Sequence, residues 1–369
     1  MTKHRLLLIF TFVMIAGLMI GGGGTAAAQE PQVRLISVAG ELLISTLSPD
    51  GHTLAVFENA QVHDDWEVVD RYLPIQLVNL DTGEITRLEG FTDYAFDVAF
   101  SADGTRLVSV HGSGEFIVWD LAAGTPLHRF WGLPGIRGIG LLPDGNTLIT
   151  RLSPNLIQFG QWDLTTGYIT AILQFHYDSF AEFQAQFESG MPDWTAGFAV
   201  APDGESMAVL TAYGRIWRWD LKTGEPVLLL DSETETPTLY VRNLAFAADG
   251  TMIIYLDRKA GVIHLMDAAT GTEINAIPAD TVGEPAISPD GSVLVWLENG
   301  TYTLKRWDAT QPDTITDLLT PPFSDALPLV PSSASPVLFM TPDGSRLVFA
   351  GFLARDTGDN MIAVIDMPE

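Results

Sequence analysis

Cysteine is absent from all 369 residues, so the chain has no disulfide and no thiol nucleophile, and its stability has to come from buried apolar core. Positive charge is scarce: 19 Lys and Arg stand against 46 Asp and Glu, for a formal net charge of −27. A surface of that sign repels phosphate backbones and anionic headgroups, which argues against nucleic-acid and membrane-surface partners and keeps the chain soluble. Catalytic signatures are missing too. There is no Gly-x-Ser-x-Gly elbow, no His-Glu-x-x-His and no phosphate-binding Gly-Lys-Ser. His52, His63, His111, His128, His176 and His264 are scattered through the chain rather than grouped. No catalytic residue, cofactor or metal ligand set is therefore assigned.

Long apolar runs are also lacking, with one exception. Leu6 to Ile20 is apolar for 15 residues but for Thr11, preceded by Lys3, His4 and Arg5 and followed by Gly21 to Gly24 and Thr25-Ala26-Ala27-Ala28-Gln29. Charged start, apolar centre and Ala-x-Ala site in that order make a secretory signal peptide, residues 1–28, cleaved after Ala28. A retained anchor is the rival reading, but the run is shorter than the roughly 20 residues a spanning helix needs. The expected mature product is residues 29–369, a monomer exported to the periplasm or the extracellular space and free of the membrane.

What the sequence has in abundance is repetition. A Pro-Asp-Gly or Ala-Asp-Gly turn occurs seven times, closing at Gly51, Gly104, Gly145, Gly204, Gly250, Gly291 and Gly344. Pro or Ala takes the first corner, Asp bonds nearby backbone, and Gly adopts a conformation other residues resist. Three residues past each Gly stands an apolar side chain: Leu54, Leu107, Leu148, Met207, Ile253, Leu294 and Leu347. A second mark also occurs seven times, as Val78-Asn79, Trp119-Asp120, Trp162-Asp163, Trp219-Asp220, Met266-Asp267, Trp307-Asp308 and Ile365-Asp366. Two marks with one count and one phase define a repeat. Its clearest copy, Gly90 to Gly124, reads as three short strands rich in Val, Phe and Ile separated by turns.

That copy resembles the WD40 repeat almost position for position, and the chain after residue 32 is similar to WD40-type β-propellers. Periplasmic propellers of the YVTN and TolB type use a similar Pro-Asp-Gly turn. Two departures stand out: Gly90-Phe91 replaces the family's Gly-His, and three of the seven Trp-Asp pairs have lost the Trp. The resemblance implies an all-β, seven-bladed propeller of four-stranded antiparallel blades, and a scaffold that binds proteins. The final unit supplies strands at 336–340, 346–350 and 361–365 and then ends, so the unassigned strand at 33–38 is expected to complete it. Under this reading Asp50, Asp103, Asp144, Asp203, Asp249, Asp290 and Asp343 are turn formers, and Trp119, Trp162, Trp219 and Trp307 fill space between blades.

Turn glycines are spaced by 53, 41, 59, 46, 41 and 53 residues, where a minimal repeat of this type takes roughly 40 to 45. In the family's geometry all the surplus falls on the rim opposite the turns, at 59–72, 175–195, 231–238, 311–335 and 351–360. Loops on a rigid scaffold are where binding residues concentrate. His63, Asp64, Asp65, Trp66 and Tyr72 form one candidate partner-binding group. Tyr177, Phe180, Phe183, Phe187 and Trp194 form another, on a short helix opened by the capping pattern Ser179-Phe180-Ala181-Glu182. Asp356 to Asn360 reads as a polar hairpin turn, and 311–335 as a Pro-rich irregular cover rather than a strand. The expected function is an exported, non-enzymatic scaffold whose elaborated rim binds a protein or peptide. Rivals are a metal-assisted hydrolase or lyase in the central channel, and a carbohydrate-binding module using Trp66, Tyr72, Tyr177 and Trp194.

Overall fold

Each strand is set by the turn before it. A computed structural model of the chain describes residues 32–38, 44–57, 74–91, 93–134, 138–153, 157–175, 195–231, 244–320, 329–331, 337–354 and 360–367, and residues 1–28, the expected leader, lie outside them. Six antiparallel sheets of four strands follow one another at 44–88, 95–131, 139–174, 195–230, 244–278 and 281–319. In each, strands pair in chain order. The seventh blade is built from Val337–Met340, Arg346–Ala354 and Asn360–Asp366, with Val33–Val38 as its outer strand. First strands of neighbouring blades approach one another, while fourth strands such as Thr125–Trp131 are exposed almost throughout. The first strands therefore surround the axis and the fourth strands face solvent.

All seven turn glycines have φ between 65° and 74° and donate their N–H to the residue three before, at 2.8–2.9 Å. In every copy the Asp carboxylate accepts the N–H two residues on: His52, Thr105, Asn146, Glu205, Thr251, Ser292 and Ser345, at 2.8–3.0 Å. The Ser101 hydroxyl and the Thr105 N–H bring the Asp103 carboxyl down from 3.8 to about 2, and Ser288 and Ser292 do the same for Asp290. All seven are turn formers, and Asp103 and Asp290 are ionised at neutral pH. Asn79, Asp120, Asp163, Asp220, Asp267 and Asp308 form a second set of turns, each accepting a backbone N–H two or three residues on. The residue after each second mark then donates its N–H to the residue after the turn glycine, as Leu80 to His52 (2.8 Å), Leu121 to Thr105 (3.1 Å) and Met367 to Ser345 (2.8 Å). That bond recurs in all seven blades and fixes both marks on one rim. Neighbouring turns also touch: a Cβ on Gly204 would come within 2.8 Å of Pro143 in the blade before it.

The core consists of seven clusters, one per seam. Alternation within a strand sends successive side chains to opposite seams. Leu107, Ile117 and Trp119 pack with Phe57 and Ile75 of blade 1, whereas Val108, Val118 and Phe116 pack with Leu148 and Trp162 of blade 3. The ring closes where Ile36, Val38, Val348 and Ile362 of blade 7 meet Leu54, Val56 and Leu80 of blade 1. Each of the four tryptophans lies in the cluster shared with the preceding blade, as the repeat implies. Their indole N–H groups fare differently. Trp119 donates to Ser109 Oγ and Trp162 to Thr150 Oγ1, both at 2.8 Å, and Trp307 reaches the carbonyl of Pro312 at 2.9 Å. In blade 4 the position of Ser109 and Thr150 is taken by Val209, and the buried Trp219 Nε1 finds no partner among the described residues.

Closure follows the expected route. Val33 to Val38 pairs antiparallel with Ile365 to Asn360, one partner per residue. A side-chain latch lies beside this seam: the Arg34 guanidinium donates to the carbonyls of Leu80 and Asp81, and Arg346 Nη1 meets Asp81 Oδ1 at 2.6 Å. His52 Nδ1 meets the other Asp81 oxygen at 2.6 Å. Burial pushes the Asp81 carboxyl up, but Arg346 and His52 outweigh it and hold the group below the usual carboxylate range.

Two expectations for the long segments are corrected. Residues 311–335 are not all irregular cover: Ile315–Leu319 is the outer strand of blade 6, and Leu329–Pro331 adds a fifth strand to the blade 7 sheet. Pro331 is tolerated because, among the described residues, its strand pairs on one side only, with Phe352–Ala354. The second strand of blade 7 runs on through Gly351 to Ala354 instead of ending at 350, with a bulge between Ala350 and Phe352. Of the hairpin turn assigned to 356–360, residues 356–359 lie outside the described residues.

Candidate functional site

Strand ends locate the elaborated segments. The connections at 58–74, 175–194, 231–243, 320–336 and 355–359 all leave and rejoin the sheets on the rim opposite the two sets of turns. His63, Asp64, Asp65, Trp66 and Tyr72 fall in the first, and Tyr177, Phe180, Phe183, Phe187 and Trp194 in the second. All ten lie outside the described residues. The flanks of the second segment are described, and both are fixed. Phe175 packs edge-on against Trp217 at 4.7 Å and tilted against Trp219 at 5.0 Å between ring centroids. Thr195 is buried, and its carbonyl accepts a hydrogen bond from Arg151 Nη1 at 2.9 Å.

On the same rim the structure gathers a group that the sequence reading missed. The turn at 112–114 in blade 2 is clasped from both sides: Gly112 N–H donates to the Tyr94 carbonyl at 3.1 Å, and Gly132 N–H to the Gly114 carbonyl at 2.8 Å. Tyr94, Trp131 and Leu133 thereby surround one hairpin with 39%, 66% and 53% of their surfaces in water. Large exposed apolar side chains grouped at the end of a rigid sheet are a contact surface in search of a cover. The signal was present as Phe130-Trp131-Gly132-Leu133-Pro134-Gly135, an aromatic pair run into a Gly/Pro turn.

Beneath this surface runs a buried polar chain. Trp119 N–H donates to Ser109 Oγ, the Ser109 hydroxyl donates to His111 Nε2 at 2.9 Å, and His111 Nδ1–H donates to the Asp93 carbonyl at 3.1 Å. Burial pushes the His111 imidazole below its ordinary value, which keeps it neutral and consistent with that single tautomer. Phe91, where the repeat has histidine, lies 4.8 Å from the His111 ring. The Ser109–His111 pair has the elements of a nucleophile and base, yet neither side chain reaches solvent, so it offers a substrate no access. What the chain does is hold Asp93 and Tyr94 in place on the rim. Alongside, Glu115 and Arg129 pair at 2.7 Å, and Arg129 Nη2 donates to the Gly90 carbonyl at 2.8 Å.

Among the described residues no three His, Asp or Glu side chains are placed to share a metal ion. No described helix is long and apolar enough to cross a membrane.

Seven sheets around an axis, each carrying both repeat marks, make this chain a seven-bladed β-propeller, similar in fold and repeat to WD repeat-containing proteins. No protein-family model matches it. Over 163 residues, 43% of the chain, it is 29% identical to an uncharacterized WD repeat-containing protein of Synechocystis sp., and it spans 42% of that relative's length. Its fold is similar to the β-propeller domain of Cps50 (Swd1) from Myceliophteria thermophila, with a TM-score of 0.67 at 15% identity over 91% of this chain and 99% of that one. A chain of the mitotic checkpoint complex matches with a TM-score of 0.66 at 16% identity, over 98% of this chain and 100% of the other.

Proposed function

We propose that the protein is an exported, non-enzymatic scaffold that holds a protein or peptide partner on its loop-bearing rim. The observation that carries this reading is the exposure of Tyr94, Trp131 and Leu133 on the two sides of one hairpin, on the rim that also receives every long segment. Exposed aromatic anchors on a fixed frame lose little conformational entropy on binding, and they dominate the energetics of protein interfaces. WD-repeat propellers commonly bind proteins, and one of like fold is part of the mitotic checkpoint complex. The leader at 1–28 supports export. The formal charge of −27 suits a partner with a basic surface.

Chemical cross-linking of the tagged protein in its native host, read by mass spectrometry, tests the reading. Trp131→Ala and a deletion of 177–193 that spares Phe175 and Thr195 should each lose the principal cross-linked partner while melting at the parent temperature. Retention of every partner by both variants overturns the assignment to this rim.

A further inference from the structure

Six of the seven outer strands carry a residue that discourages pairing with another chain. Ile85–Leu88 is short and holds Arg87, Thr125–Trp131 holds Pro126 and Arg129, and Pro226–Leu230 opens on proline. Glu273–Pro278 has a carboxylate at one end and proline at the other, and Ile315–Leu319 holds Asp317, paired with Lys305 at 2.6 Å. Val33–Val38 holds Arg34, already engaged with blade 1. Charge and proline are the usual means by which a sheet keeps its edge from acquiring a strand. Blade 3 lacks them. Its outer strand, Tyr168–Gln174, reads Tyr-Ile-Thr-Ala-Ile-Leu-Gln, seven residues with no charge, no proline and no glycine.

The strand pairs with Gln158–Asp163 on one side and, among the described residues, with no strand on the other. Its composition is that of a pleated surface, and its side chains are laid open: Tyr168 has 74% and Ile172 53% of its surface in water, with Ile169 exposed beside them. Leu173, by contrast, is buried among Phe159 and Trp219, which anchors the strand to the seam with blade 4. The result is an edge, bulged at Thr170, whose outward backbone donors and acceptors pair with no strand among the described residues and whose apolar side chains are on display.

We propose that this edge is a second docking site, separate from the loop rim, which takes an extended segment of a protein partner as an added strand. The chemistry of that segment follows from the edge and from the whole molecule. Main-chain hydrogen bonds supply affinity, and side chains packing beside Tyr168 and Ile172 have to be apolar and uncharged, because the edge offers no ion to pair with. The net charge of −27 attracts basic residues flanking the segment and repels a second copy of this chain. The occupant is thus a β-prone, uncharged stretch between lysines or arginines, not the strand's own twin.

The test titrates the full chain into a fluorescently labelled peptide of alternating valine and threonine between paired lysines, read by anisotropy. Saturable binding is expected, weakened roughly tenfold or more by Ile172→Asp, and to the same degree by N-methylation of alternate peptide nitrogens. The half-exposed position lets Ile172→Asp fold, which circular dichroism verifies. Adhesion of lysines to an acidic surface makes the opposite prediction, since that variant adds a negative charge: unchanged or tighter binding overturns the proposal. So does indifference to N-methylation. A dimer of the chain in sedimentation that Ile172→Asp dissolves gives the edge to a second copy and overturns it equally, as does no binding at all.

Discussion

Deleting residues 1–38 should leave a chain that does not fold cooperatively, although every deleted residue lies outside the seven turns. Val33–Val38 is one short strand, but it covers the third strand of the last blade, where Met361, Ile362, Ala363, Val364 and Ile365 are all buried. Its loss uncovers that strand and removes Ile36 and Val38 from the seam with blade 1. A fully buried aliphatic side chain contributes about 1.5 to 3 kcal/mol. A handful of such losses, with six pairing positions and the Arg34 latch, consumes the roughly 5 to 15 kcal/mol that holds a native domain together. Urea unfolding read by tryptophan fluorescence decides it: a sharp transition retained near the parent midpoint would show that the ring does not depend on its closing strand. Deleting 1–28 alone should leave the midpoint unchanged.

The tryptophans give the second large effect. Trp119 and Trp219 are both fully buried at equivalent positions, so replacing either by Ala should cost about 3 to 5 kcal/mol. The Phe substitutions separate them. Trp119→Phe also takes a donor from Ser109, at the head of the chain through His111 to Asp93, whereas Trp219→Phe removes an N–H that has no partner. Ser109 keeps its bond to His111 but loses the indole donor, and one such hydrogen bond is worth about 0.5 to 1.5 kcal/mol, so Trp119→Phe should be the more damaging by at least about that margin. Conversely, Val209→Thr should stabilise the parent by about 1 kcal/mol by giving Trp219 an acceptor, and should destabilise a Trp219→Phe background by about 1 to 3 kcal/mol, because there the buried hydroxyl meets no indole. Equal losses for the two Phe variants, read as urea midpoints at constant m-value, would refute the assigned hydrogen bonds.

Repetition made the frame legible. Asp50 and its six counterparts could be read as turn formers because the same residue stands before the same glycine seven times, and chance does not do that. Val33 to Val38 could be read as the closing strand by subtraction, since the last unit was one strand short. Features that occur once left no such trace. The latch of Arg34, His52, Asp81 and Arg346 joins residues up to 312 positions apart and follows no period. Ile315–Leu319 was hidden within a Pro-rich stretch because Thr316 and Asp317 dilute its apolar pattern, and packing on blade 6, not local preference, makes it a strand. Tyr94 and Trp131 could be identified as a surface only after the fold brought the two sides of the Gly112–Gly114 turn together. The first-choice binding residues, from His63 to Trp194, belong to segments outside the described residues, and only the anchoring of Phe175 and Thr195 bears on them.

Native-state hydrogen exchange of 33–38 bears most directly on the ring. If Val33–Val38 is the outer strand of the final wedge of a closed propeller, every second one of its amides is hydrogen-bonded to 360–366, and those amides should exchange only on global unfolding, together with the amides of Asn360–Asp366 and with the same denaturant dependence. Exchange of 33–38 at the rate of a free peptide, while 360–366 stays protected, would mean that the propeller is held shut by something else.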